Sequence, residues 1–120
     1  MYDHIGLKAS DLDASVRFYT ATLAELGHVL CSRDETSAGL GPKDAPSLWL
    51  YAQSGANSAG THLAFRAADR AAVDAFHKAG LEAGGRDHGA PGLRHDYGDH
   101  YYAAFLLDPD GNNVEAVCLK

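Results

Sequence analysis

The chain is written twice. A shift of 58 residues lays His4 on His62, Ala9 on Ala67, Asp11 on Asp69, Phe18 on Phe76, Leu23 on Leu81 and Gly27 on Gly85. Lys8 meets Arg66, so charge is kept. Ala14 and Ala72, and Ala21 and Ala79, also coincide, but alanine-rich segments match by chance and carry little weight. The His, Asp, Phe and Gly matches in register carry more. Self-similarity at a fixed period marks one supersecondary unit used more than once. A single unit of about 55 residues buries too little apolar surface to stand alone comfortably, so the two copies are expected to share a core. With 120 residues in all, the chain is expected to form one domain.

The repeated unit reads as βαβββ. In the first copy, Tyr2 to Ala9 alternates, with Ile5, Leu7 and Ala9 on one face and His4, Gly6 and Lys8 on the other. Ser10 and Asp11 offer an N-cap, and Asp13 makes something close to a capping box with Ser10. The helix that follows is expected to run to about Leu26, with Leu12, Val16, Tyr19, Leu23 and Leu26 as its apolar stripe. Gly27 stops it. Short strands follow at His28 to Arg33, around Ala38 to Leu40, and at Ser47 to Gln53, where Leu48 and Leu50 point one way and Trp49 and Tyr51 the other. Residues 54–60, small and polar throughout, read as a linker between a module at 1–53 and a module at 61–120.

The second copy restarts at Thr61, with Leu63, Phe65 and Ala67 on one face and His62, Ala64 and Arg66 on the other. Asp69 caps a helix over Arg70 to Ala79, with Val73 and Phe76 inward and Gly80 as its end. Near the C-terminus, Phe105 to Val117 reads as a hairpin. Pro109 presets φ in its turn and Gly111 suits the end of that turn. The predicted class is therefore α+β: two βαβββ modules whose curved mixed sheets surround a cleft.

Glu115 is the odd residue of that hairpin, a carboxylate in the middle of an apolar strand. Alone it reads as the solvent face of an edge strand. The repeat changes its meaning. If the second copy is eight residues longer before its last strand, the counterpart of Glu115 in the first copy is Trp49. Two sheets curling face to face would bring His4, His62, Glu115 and Trp49 together. Two imidazoles and a carboxylate form a ligand set for a divalent transition metal that keeps positions open for water or substrate.

Other features limit the partners. The formal net charge is −6 and there is no basic run, which argues against nucleic acid and anionic membrane. No apolar run approaches the roughly 20 residues that span a bilayer, and Met1-Tyr2-Asp3-His4 begins directly in a strand-like pattern, with no secretory leader expected. Cys31 and Cys118 lack metal-type spacing and read as free thiols of a reducing, cytoplasmic setting.

The chain resembles the vicinal oxygen chelate superfamily, which includes glyoxalase I, extradiol dioxygenases, fosfomycin-resistance transferases and bleomycin-resistance proteins. The resemblance covers essentially the whole chain. It rests on His4-Ile5-Gly6-Leu7 ahead of Asp11 to Tyr19, on Ser47-Leu48-Trp49-Leu50, on His62-Leu63-Ala64-Phe65, and on Asp108-Pro109-Asp110-Gly111 with Glu115 four residues on. It implies paired βαβββ modules, a homodimer, and a divalent metal (Zn, Ni, Mn or Fe) that chelates vicinal oxygens of a small substrate. His4, His62 and Glu115 match the family's metal ligands by position.

Each subfamily also meets a departure. Glyoxalase I has a fourth ligand, a Glu, where this chain has Trp49, whose indole has no lone pair for a metal. Its glutathione-binding Arg falls where this chain has Lys8. Extradiol dioxygenases and fosfomycin transferases place a Tyr where this chain has Phe105, and the latter also need a Thr where it has Gly6. Two function classes follow. One is a metal-dependent lyase, isomerase or dioxygenase, with Lys8 and Arg66 steering an anionic substrate. The other is a protein that sequesters a small molecule against Trp49, Tyr51 and Phe105. The stretch 86–102 reads as a long loop dense in titratable groups, including His95, Tyr97, His100 and Tyr101. His100 and Tyr101, nearest the following strand, are the expected acid–base groups.

Overall fold

The computed structural model describes residues 1–55 and 60–120. The linker expected at 54–60 thus falls partly on 56–59, outside the described residues. The element order is β1 (Ile5–Ala9), α1 (Leu12–Ala24), β2 (Val29–Arg33), β3 (Ser37–Gly41), β4 (Leu48–Ala52), β5 (His62–Arg66), α2 (Arg70–Glu82), β6 (Arg86–Leu93), β7 (Tyr102–Leu107) and β8 (Asn113–Cys118). The strands form two four-stranded mixed sheets, ordered β1-β4-β3-β2 and β5-β8-β7-β6. The α+β class and the βαβββ pattern of each half hold.

The two sheets are built on one plan. β1 runs parallel to β4 and β5 parallel to β8, while every other pairing is antiparallel. Gly6 stands opposite Trp49, and Ala64 stands opposite Glu115. Each is the second residue after a histidine, so Trp49 and Glu115 occupy matching rungs, as the repeat requires. Leu7, Ala9, Leu48 and Leu50 turn inward from their sheet and are buried, and Val114, Ala116 and Cys118 do the same in the other. The alternate residues form faces with no helix on them. His4, Gly6, Lys8, His62, Ala64 and Arg66 are exposed there.

Each helix packs on its own sheet, and the two helices pack on each other. Phe18, Tyr19, Leu23, Val73 and Phe76 fill the shared core, whereas Val16 and Leu26 only flank it. The N-cap of α1 is Asp11, whose side chain accepts from the Ala14 N–H. Ser10 is used differently from the expected capping box: its hydroxyl donates to Asp110 at 2.5 Å. The first helix ends at Ala24, with Glu25 as its C-cap, two residues short of the expected Leu26, and Gly27, at φ +86°, follows in the turn. Gly80 does not end the second, which continues to Glu82. The reason is steric. A Cβ at Gly80 would collide with Leu106 Cδ1 and lie 3.1 Å from Thr22 Cγ2, so the glycine marks a close approach of α2 to β7 and α1.

The Asp-Pro-Asp-Gly turn fastens the halves together. Asp108 is buried, and one of its oxygens accepts from the Asp110 and Asn112 N–H groups at 2.9 Å. The other accepts from the Tyr19 hydroxyl at 2.5 Å and from Asn112 Nδ2 at 2.9 Å. Burial, and then the charge of Asp108, holds the Tyr19 phenol well above its usual range, so it remains a donor.

The largest correction is β6. Residues 86–93 form a strand where a loop was expected, which shortens the true connection to 94–101. Gly89, Pro91 and Gly92 hide it by removing any alternation. Pro is tolerated because β6 is an edge strand, and its pairing with β7 shifts register near these residues. A hydrogen bond from α2 also pins β6: His77 Nε2 lies 2.8 Å from Asp87 Oδ1.

Candidate functional site

Parallel pairing of β5 with β8 places His62 beside Asn113 and one step from Glu115. His62 Nδ1 lies 3.1 Å from the Asn113 carbonyl oxygen. A carbonyl only accepts, so Nδ1 carries the proton it donates there, and Nε2 of the neutral ring is left with its lone pair. That nitrogen lies 3.1 Å from Glu115 Oε2. Two lone-pair bearers at this distance repel unless a positive centre joins them, either a proton on the imidazole or a metal ion. The donor set, one imidazole and one carboxylate, suits a borderline divalent cation.

Glu115 is 2% exposed, although it faces the bare side of its sheet. Tyr101 covers it: the phenol donates to Oε1. Desolvation, and then the hydrogen bond and charge of Glu115, push this phenol up to about 12, so it is a donor at neutral pH. Phe105 stands opposite Glu115 on β7 and stacks on His62, with ring centroids 6.4 Å apart and planes at 23°. Tyr97 meets Tyr101 edge to face at 5.2 Å. Together His62, Tyr97, Tyr101, Phe105, Asn113 and Glu115 line a cavity of about 480 Å³.

The sequence-predicted residues divide. His62, Glu115, Tyr101 and Phe105 come together. His4 does not join them. Its Nδ1 lies 2.7 Å from Asp3 Oδ1, and it lines a separate, mainly apolar cavity of about 340 Å³ with Leu23, Leu48 and Phe65 among others. Among the described residues no three His, Cys, Asp or Glu side chains converge as a metal site. Trp49 and Tyr51 lie on the first sheet, over Gly39 and Gly6. Lys8, Trp49, Tyr51, Arg66 and His100 are not among the residues lining the His62–Glu115 cavity. Asn113 was missed, although strand parity places it on the Glu115 face. Both cysteines are free, Cys118 buried and Cys31 half-buried. No helix among the described residues is long and apolar enough to cross a membrane.

Fold and site define a paired-module α+β protein that carries an imidazole–carboxylate pair on the bare face of its second sheet. Residues 2–116 match the family model of the Glyoxalase/Bleomycin resistance protein/Dioxygenase superfamily, and the chain belongs to that superfamily. Among solved structures, a glyoxalase/bleomycin resistance protein from Albidiferax ferrireducens T118 is similar, with a TM-score of 0.84, 29% identity and 98% of each chain covered. An E144Q mutant of glyoxalase I from Zea mays aligns with a TM-score of 0.73 at 25% identity, over 96% of this chain and 45% of that one. The bleomycin resistance determinant encoded on transposon Tn5 shares the fold, with a TM-score of 0.66, 23% identity, and 96% and 94% of the two chains covered. No curated protein sequence matches the chain.

Proposed function

We propose that the protein is a metal-dependent enzyme of the cytoplasm, a lyase, isomerase or dioxygenase, acting on a small molecule through vicinal oxygens. Its sites are shared across a homodimer. His62 and Glu115 of one chain and the partner's His4 hold one Zn, Ni, Mn or Fe ion. The observation that carries this reading is the convergence of His62 Nε2 on the Glu115 carboxylate at 3.1 Å, with Nδ1 engaged by the Asn113 carbonyl, while the third expected ligand stands elsewhere in the same chain. When bound, such a metal supplies Lewis acidity toward a chelated carbonyl or hydroxyl oxygen. The chain's own residues do the rest. Asn113 orients His62, Tyr101 orients Glu115 and keeps its proton at neutral pH, and Phe105 and Tyr97 line the cavity with aromatic surface.

A second reading, sequestration without turnover, is favoured by one observation: the parallel rings of His62 and Phe105 beside Tyr97 and Tyr101 suit a planar ligand. Metal analysis separates the two. His62→Ala and Glu115→Ala chains that remain folded are expected to lose the metal, and retention at wild-type stoichiometry in both refutes the metal reading. Unfolding and refolding His4→Ala together with His62→Ala then tests the shared site. Mixed dimers rebuild one intact site each, so roughly a quarter of wild-type metal returns if two-fold symmetry pairs the halves across chains. No recovery refutes the cross-chain arrangement.

A further inference from the structure

The connection between β6 and β7 carries a group that the expected site did not include. The Arg94 N–H donates to the Tyr101 carbonyl at 2.8 Å, which extends the pairing of Leu93 with Tyr102 by one rung. Residues opposed on a rung project to the same face of a sheet. Tyr101 projects onto Glu115, and Arg94 accordingly projects onto the same bare face. Its guanidinium carbon lies 5.3 Å from the centroid of the Phe105 ring, and Nη2 donates to the Ala90 carbonyl at 2.7 Å. The strand beneath is bare enough to let the guanidinium lie there. A Cβ at Gly92 would stand 3.1 Å from Nη1, and one at Gly89 would stand 3.3 Å from Nη2.

Glu115, Phe105 and the Arg94 guanidinium therefore form a row across β8, β7 and β6, with His62 stacked on the same phenyl ring. Arg94 is half-buried, and among the described residues no carboxylate pairs with it. The chain as a whole is negative, so an uncompensated guanidinium beside the cavity is a local reversal of sign. It is also preorganised, because an aromatic face and a backbone carbonyl already fix its plane. Lys8 and Arg66, the cations expected to steer an anion, are exposed. None of the three cations lines the cavity itself, but Arg94 stacks on Phe105, which does.

We infer that Arg94 is the anion anchor of the site: it takes a carboxylate at one end of the substrate while two vicinal oxygens at the other end reach the ion held by His62 and Glu115. The substrate class is then a small acid with a chelating head and a carboxylate tail about one phenyl ring away. This inference rests on the metal reading of His62 and Glu115, and the test separates the two. Metal-loaded protein is titrated calorimetrically with acetohydroxamate, a neutral chelating head, and with the monohydroxamate of succinate, the same head with a carboxylate. The wild type binds the second at least about tenfold more tightly, the gain of a charge-assisted bidentate contact. Arg94→Gln loses that preference while metal content and acetohydroxamate affinity stay unchanged, and Arg94→Lys keeps part of it. Full preference in Arg94→Gln, or none in the wild type, overturns the anchor. If the protein binds neither metal nor hydroxamate, the metal reading fails by itself. Succinate is then titrated into metal-free protein, with the Arg94 Nε–H resonance followed by NMR. A shifted resonance together with succinate binding that Arg94→Gln weakens sustains the anchor, and an unmoved resonance, or binding that Arg94→Gln leaves unchanged, overturns it.

Discussion

At the scale of single residues, Trp49 and Glu115 hold the same rung in two sheets and do opposite work. The Trp49 indole lies across Gly39, where a Cβ would stand 2.9 Å from the ring. Gly39→Ala is expected to lift the indole and to cost about 1–3 kcal/mol, the usual penalty of overpacking. Trp49 is the only tryptophan, so a shift in emission reports the displacement directly, and an unchanged spectrum refutes it. Glu115 instead depends on donors. Tyr101→Phe removes the hydroxyl that holds Oε1, and metal affinity is expected to fall by about tenfold to a hundredfold, as when other residues that orient a ligand are lost. Competition against a chromophoric chelator measures the change, and undiminished affinity rules out an orienting role for the phenol.

At the scale of elements, α2 and β6 show how tertiary contacts replace missing local signals. The His77 hydrogen bond, and then the Gly89 N–H, hold the Asp87 carboxyl below the ordinary value of 3.8. A depressed carboxyl adds stability that is present above the unfolded value and lost as pH falls through the folded one. Urea midpoints between about pH 5 and about pH 2 are therefore expected to fall more steeply in the wild type than in Asp87→Asn, and equal slopes refute the pin. Without this contact β6 has no pattern to read: Gly89-Ala90-Pro91-Gly92 matches neither a strand nor a helix period. By contrast α1 was legible, because Asp11 and the Leu12, Tyr19 and Leu23 stripe agree with each other. His62 and Glu115 were legible from the repeat, which fixes what lies on matching rungs. Arg94 was not, because its face is set by the rung it shares with Tyr101, and that rung continues the pairing of the unseen strand. The separation of His4 from His62 was not legible either. A repeat says which faces correspond but not how two sheets sit around their helices.

At the scale of the whole molecule, the buried Tyr19–Asp108 contact ties the first helix to the last hairpin. Tyr19→Phe leaves a buried carboxylate short of a donor and is expected to cost about 1–3 kcal/mol. In a double-mutant cycle with Asp108→Asn the two losses are expected to overlap rather than add. Additive losses refute the latch. Both sheets also keep a face without a helix, and β1 and β5 each end their sheet as an edge. The proposed second chain would cover such surfaces with two-fold symmetry. Light scattering at micromolar concentration is expected to give twice the 12.7 kDa chain mass, and a monomeric mass refutes the shared site. The matching rungs also bear on what the frame accepts. One frame, used twice in the same chain, carries an aromatic ring on this rung in one sheet and an acid in the other, on the same ladder. The first sheet therefore holds a spare position: Trp49→Glu would put a carboxylate in a place where the frame already seats one in its twin.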